Sequence, residues 1–405
     1  MAEINDRKTF TLSLKNAMMV IWCLVVLLFS GSPYQTIFNI NILIFVFGAI
    51  ALVLSLPSLI RARIREPQWA LIFLALMTFV TMTVHFEFGS QFYWRFLCIV
   101  IIAYYLSQAF TFKQITKAFT KIMLFVTLVS LVGYALANST NILNILPRFK
   151  NINGVEYAIG IVFNFITMIP ERNCGIFWEP GIFATYLILA IVFEILAMRH
   201  NSESKKKNII HIVIFAIGLL TANSTAGFLL GVICVLFFFV SHNAMNKKTQ
   251  MLLNLFSIGL LVLSLIALAN LDSIIMNTAL INNKYIAKLL SSNLEESARV
   301  TVVWHNLEVF FNNFLCGAGI YEVSLLDVQF ADISTVTYIL SVFGVLGLTY
   351  IGCIIKGVFQ QKNINAYSKL IVFVVLIAVT SKEPHLEMLF TWILIFALLK
   401  DKHAL

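Results

Sequence analysis

Apolar runs of roughly 17–25 residues, the length a helix needs to cross a bilayer, recur from one end of this 405-residue chain to the other. Nothing else in the sequence restricts the fold so severely. Hydrocarbon offers backbone amides no partners, so a spanning segment must be a helix or part of a closed barrel. No stretch alternates apolar and polar residues as a barrel strand does, which leaves helices. The residues are 60% hydrophobic and 12% charged, a balance that a soluble domain of this length could not hide from water. The expected class is an all-α, polytopic integral membrane protein forming a single membrane domain over residues 1–405.

The pattern predicts twelve helices, near 17–30, 36–56, 68–85, 92–110, 117–137, 181–198, 207–222, 225–241, 251–269, 333–355, 366–381 and 385–399. Arg7, Lys8 and Lys15 precede the first, and no A-x-A-like cleavage site follows it, so it reads as a retained span.

Charge placement gives the expected topology. Basic residues follow the even-numbered spans: Arg61, Arg63 and Arg65; Lys113, Lys117 and Lys121; Arg199 and Lys205 to Lys207; Lys247 and Lys248; Lys356, Lys362 and Lys369; Lys400 and Lys402. Most acids fall in the complementary connections, among them Glu87, Glu156, Glu179, Glu308, Asp332 and Glu383. Cytoplasmic loops are enriched in Lys and Arg, so both termini are expected in the cytoplasm. The net charge of +9 is thus a topology signal. Without a basic patch interleaved with aromatics it does not point to nucleic acid.

Two outer connections are long, 138–180 and 270–332, and loops of that length are usually either functional or disordered. Both contain aromatic and aliphatic residues and are expected to fold against the membrane. In the second, Ser292 followed by Glu295 resembles a capping box. Val300, Val303, Leu307, Phe310 and Phe314 then form an apolar stripe, with Thr301, His305, Glu308 and Asn312 on a polar one. Such an amphipathic helix would lie on the outer membrane surface or roof a cavity, ending at Gly317 and Gly319.

The chemistry concentrates in Arg172–Gly181, RNCGIFWEPG, set between apolar runs. A guanidinium beside hydrocarbon needs water, a partner or a ligand. Arg172 suits a diphosphate, whose oxygens a planar fork matches bidentately; the plainer alternative is a structural pair with Glu171 or Glu179. Glu179 precedes Pro180, a helix-starting residue, and would suit the positive end of the helix dipole. Arg299 could join Arg172 around one anion, or simply pair with Glu295 four residues earlier. His305 is either a base or a surface histidine, and Asp332 a second carboxylate or an N-cap. Lys382, Glu383 and His385 form a charged hairpin that helix-end solvation would explain, unless it lines a substrate entrance. Arg95, just inside the fourth span, should face a cavity or snorkel.

Six scattered cysteines without a CxxC pair suggest neither zinc nor a redox dithiol; Cys174 and Cys316, both in outer loops, are the one pair that could bridge. No GxxxxGK[ST], GxGxxG, HExxH, GxSxG or Asp-x-Asp appears, so neither a metal nor any other cofactor is expected.

The order Arg-x-x-Gly-x-Phe-x-Glu-Pro at 172–180 resembles the signature of Wzy-type polysaccharide polymerases, a group related to the O-antigen ligases. Three later segments are similar as well: Thr221-Ala-Asn-Ser-Thr-Ala-Gly227, Ser297-Ala-Arg-x4-Trp304 leading to Gly317-x-Gly319, and Asp332 followed by Gly344-x-x-Gly347. Two departures stand out. The 221–227 segment lacks the arginine that many relatives carry after its Ser, and Asp332 stands where the ligases usually have a histidine.

The resemblance implies a GT-C-like membrane fold and a glycosyl transfer at the outer face of the bacterial cytoplasmic membrane. A growing glycan leaves undecaprenyl diphosphate and joins a lipid-linked repeat unit, as in O-antigen, capsule or exopolysaccharide synthesis. A chain-length regulator and a flippase are further implied partners. Arg172 and Arg299, with Arg95 and Lys382, would bind substrate; Glu179, then Asp332 and His305, would be the candidate bases. The rival expectations are an O-antigen ligase, a lipid-linked oligosaccharide flippase or other transporter, and an accessory protein without chemistry.

Overall fold

The computed structural model describes residues 17–38, 40–60, 65–151, 154–200, 205–242, 294–325 and 331–405. The chain is mostly helical. In order come α1 (Ala17–Leu28), α2 (Ile40–Leu59), α3 (Glu66–Val84), α4 (Gln91–Ala109), α5 (Phe112–Ser139), α6 (Pro180–His200), α7 (Lys205–Ala222) and α8 (Thr225–His242). After the region 243–293 follow α9 (Leu294–Asn312), α10 (Gly319–Leu325), α11 (Thr335–Phe343), α12 (Leu348–Phe359), α13 (Ala366–Thr380) and α14 (Leu389–Lys400).

Six of the described helices are long and apolar enough to cross a membrane, counting α11 and α12 as one. Eleven of the twelve predicted helices coincide with a described one, while the predicted helix at 251–269 lies outside the described residues.

Burial ranks the helices. In α6 94% of the spanning window is buried, whereas in α2 only 22% is. A helix apolar on every side belongs at the centre of a bundle, and α6 packs against α5, α7 and α8. Phe119, Tyr186 and Phe390 cluster where α5, α6 and α14 meet, Phe119 stacking on Phe390 and Tyr186 meeting Phe390 edge-on. The outward side chains of α2, including Ile42, Val46 and Val53, are exposed, as suits a helix facing lipid.

Helix ends sort into two opposite faces of the bundle. At one, Lys400 donates to the carbonyls of Ser107, Gln108 and Phe110, and Lys356 pairs with Glu66 at 3.4 Å. At the other lie the 138–180 connection, the starts of α6 and α8, and the hairpin between α13 and α14.

The 138–180 connection has a structure the sequence reading left open. It holds a three-stranded antiparallel sheet, β1 (Arg148–Lys150), β2 (Glu156–Ile159) and β3 (Asn164–Ile166), in the order β1-β2-β3. Three short strands without long alternation escape a periodicity search. The sheet is tied down by the Tyr34 hydroxyl, which donates to the carbonyls of Gly160 and Ile161. Its last strand leads into the Arg172 stretch through Asn164 N–H donating to the Gly175 carbonyl at 2.8 Å.

α9 exists where expected but rotated. Among its described side chains the buried ones are Val302, Asn306, Val309 and Phe310, about one position from the predicted stripe; Val303 and Leu307 are half-buried and Phe314 is exposed. The cause is a polar contact: fully buried Asn306 donates to Thr337 Oγ1 on α11 at 3.3 Å. Trp304, Phe311 and Leu315 are 63%, 69% and 70% exposed, so apolar content alone did not say which face meets protein. Beyond α9, Ala318 N–H donates to the Ser341 carbonyl and Val345 N–H to that of Phe314. Gly317 and Gly344, with φ of 69° and 61°, pack backbone on backbone; a Cβ on Gly317 would strike the Val342 carbonyl. Only glycine tolerates both the dihedral and the approach. That joint breaks the predicted tenth helix into α11 and α12.

Candidate functional site

At the carboxylate-rich face the Arg172 stretch is clamped by Asn173. This fully buried side chain donates to Ser130 Oγ on α5 and Thr221 Oγ1 on α7, and accepts from Gly175 N–H. Its own N–H donates to the Thr221 carbonyl at 3.0 Å. The clamp sets half-buried Arg172 over the end of α7, where Nε points at the Ala222 carbonyl, 3.5 Å away. Among the described residues no carboxylate lies within ion-pairing distance of the guanidinium, so the structural pairs with Glu171 or Glu179 do not form. Cys174 is buried beside it as a free thiol, its pKa pushed up to about 12 by burial. Cys316 is free as well, so the two form no bridge.

Ser224 starts α8 as an N-cap, its Oγ accepting from Gly227 N–H at 3.4 Å. The same oxygen accepts from Lys382 Nζ at 2.9 Å. Lys382 also donates to the Gly181 carbonyl at 3.0 Å, and Glu383 Oε1 lies 3.8 Å from its ammonium. Glu383 lies against Gly181 so closely that a Cβ there would collide with Oε1. The carboxylate is thereby held at the start of α6, where the helix dipole favours negative charge. Helix-end solvation does not account for this hairpin: Lys382, Glu383 and His385 are 8%, 2% and 0% exposed.

The hairpin reaches further. Thr335 Oγ1 donates to the Glu383 carbonyl and accepts from Leu386 N–H. Arg95 on α4 pairs with Glu387 at 3.1 Å, so it meets a carboxylate at the bundle end. His385 is bonded to Thr391 Oγ1 at 2.7 Å. Burial first, then the Lys382 charge, lowers its pKa to about 3, which keeps the imidazole neutral.

Asp332 sits in the turn Ala331–Ile333 just before α11. As a residue it reaches the surface, but its carboxyl is crowded by protein. Lost solvation first, then the carboxylates of Glu387 and Glu383, push its pKa up to about 6. Glu179 is exposed at the start of α6, near enough to Tyr157 of β2 for its charge to help raise the phenol's pKa, which burial raises first. His305 is half-buried on α9, with Nε2 enclosed. Arg299 lies on the α9 backbone, but its side chain is outside the described residues.

The structure therefore joins Arg172, the 221–227 segment, the start of α6, Lys382, Arg95 and the Asp332 turn through one hairpin. His305 lies on α9, which packs against the Asp332 turn, but among the described residues no side-chain hydrogen bond or ion pair ties His305 itself to the junction. Sequence reasoning missed Asn173 and Glu387 as members; it had Ser224 only within the 221–227 segment and Glu383 only as a possible lining of a substrate entrance. For Glu383 a signal was available, since Lys-Glu-Pro-His between two apolar spans is as anomalous as the Arg172 stretch. Among the described residues no three His, Cys, Asp or Glu side chains gather as a metal-ligand set.

Fold and site together describe a helical membrane protein with a polar junction at one end of its bundle. No family model matches the chain, and neither a curated protein nor a solved structure does.

Proposed function

We propose that this protein is a polysaccharide polymerase of the cytoplasmic membrane. It crosses the bilayer twelve times, keeps both termini in the cytoplasm and holds the Arg172 junction at the outer face. Its substrates are undecaprenyl-diphosphate-linked oligosaccharides. The observation that carries this reading is Arg172: half-buried, clamped by Asn173 and free of any described carboxylate partner.

In the reaction, a hydroxyl of the acceptor sugar attacks the anomeric carbon of the growing glycan. The bond from that carbon to the diphosphate oxygen breaks, and its electron pair leaves with the lipid diphosphate. Arg172 stabilises the charge that builds there, with Arg299 as its expected companion. The hydroxyl proton passes to a carboxylate. A raised pKa matches a base to near-neutral pH, which favours Asp332 over exposed Glu179.

The experiment is the glycan ladder of a deletion strain complemented with variants. Deletion should leave single capped repeats, and Arg172→Ala expressed at the normal level should not restore polymer. Full-length polymer from that variant would sink the assignment. Loss of all attached glycan would instead identify a ligase, and accumulation of repeat units in the inner leaflet a flippase.

A further inference from the structure

We propose that Lys382 acts as a positioning residue, setting the start of α6 against the start of α8 and the Asp332 turn, and does not itself touch the substrate anion. This deepens the polymerase reading and rests on it.

An ammonium at 8% exposure stays charged only if the protein replaces its water. It has three protons to donate and no acceptor. Here three protein oxygens surround it: the Gly181 carbonyl at 3.0 Å, Ser224 Oγ at 2.9 Å and Glu383 Oε1 at 3.8 Å. Each belongs to a different structural unit. Gly181 lies two residues beyond Glu179 at the start of α6, and Ser224 caps α8 three residues after Thr221, which Asn173 grips. Glu383 continues through its carbonyl to Thr335, three residues beyond Asp332. One buried charge thus fixes the spacing of Arg172 and Glu179 against Asp332, although Asp332 is far from both in sequence. The 221–227 segment carries no cation of its own, and Lys382 places one on its serine from the far end of the chain.

The test uses the full-length protein in lipid nanodiscs and in the deletion strain, with Lys382→Met, Ser224→Ala and the double variant. Undecaprenyl diphosphate is the binding probe. Lys382→Met should keep wild-type affinity for that probe while polymer in cells falls about a hundredfold, the cost a displacement near 1 Å can bring. Ser224→Ala should act in the same direction, and the double variant should be no worse than Lys382→Met in polymer or in melting temperature. A loss of probe affinity as large as the loss of polymer overturns the proposal, because Lys382 would then bind the anion itself. Additive effects on melting temperature overturn it too, since the two side chains would not act through one contact. If wild-type protein binds no undecaprenyl diphosphate and deletion leaves the ladder unchanged, the polymerase reading and the positioning role fail together. The melting temperatures still decide whether the tether exists.

Discussion

Asp332 and Glu179 are carboxylates at the same end of the bundle, and their surroundings separate them. Crowding and two neighbouring carboxylates lift Asp332 from an ordinary value of 3.8 to about 6. The fold therefore favours its protonated form. Its contribution to stability is complete below pH 3.8 and disappears as pH rises through about 6. Catalysis by the ionised base runs the opposite way. Polymer formation by membranes should rise between about pH 5 and pH 7, with a midpoint near 6, while the melting temperature drifts down earlier, between about pH 4 and pH 6, and levels off above. Asp332→Asn should abolish the first trend and flatten the second; a pH–rate profile and a melting series check both. At this scale Arg172, Glu179 and Asp332 were legible because charges beside hydrocarbon are anomalous in sequence. Asn173 and Ser224 were not, since a small polar residue in a helix-end segment looks the same whether or not it clamps another segment. Glu383 could be flagged as anomalous, but not matched to Gly181, because the two are distant in sequence and meet only in the fold.

Among the helices, α6 carries an ionisable group away from the junction. Glu194 Oε1 meets His211 Nδ1 on α7 at 2.8 Å, the glutamate buried and the histidine partly so, and Asn208 Nδ2 reaches the Glu194 carbonyl at 3.5 Å. A buried polar atom stripped of its partner costs about 1–3 kcal/mol, whereas replacing both partners by apolar groups is often neutral. His211→Leu should therefore lower the melting temperature in detergent, and Glu194→Leu combined with His211→Leu should recover much of the loss. A double variant less stable than either single one would mean the pair contributes more than it costs to bury. Helix existence was readable because lipid-length apolar runs leave the backbone no other choice. The facing of α9 was not, because lipid and protein both accept apolar side chains and only the buried Asn306–Thr337 contact distinguishes them.

For the molecule as a whole, the sorting of helix ends agrees with the sorting of charge. Lys356 and Lys400 lie at one face of the bundle, and Glu179, Asp332 and Glu383 at the other. The reading in which the basic face is cytoplasmic makes a direct prediction. In a cysteine-free background, Glu156→Cys on β2 should react with a membrane-impermeant maleimide in intact cells. Lys113→Cys, at the start of α5, should react only after the cells are opened. The reverse pattern would turn the protein over and put the junction on the wrong side for flipped substrates. Burial of α6 at the centre and exposure of α2 at the rim fit the same arrangement.

The chain by itself determined that it folds mostly as apolar helices, six of the described ones long enough to cross a membrane, where most of them begin and end, and which charges need explaining. Those properties follow from local hydrophobicity and the cost of placing charge in hydrocarbon. Only the tertiary structure decided that residues near 172, 224, 335 and 382 share one junction, that the hairpin between the last two helices is buried, and that the 138–180 connection holds a sheet. These outcomes depend on which segments pack side by side, and the hydrogen bonds that fix them join residues up to 201 positions apart.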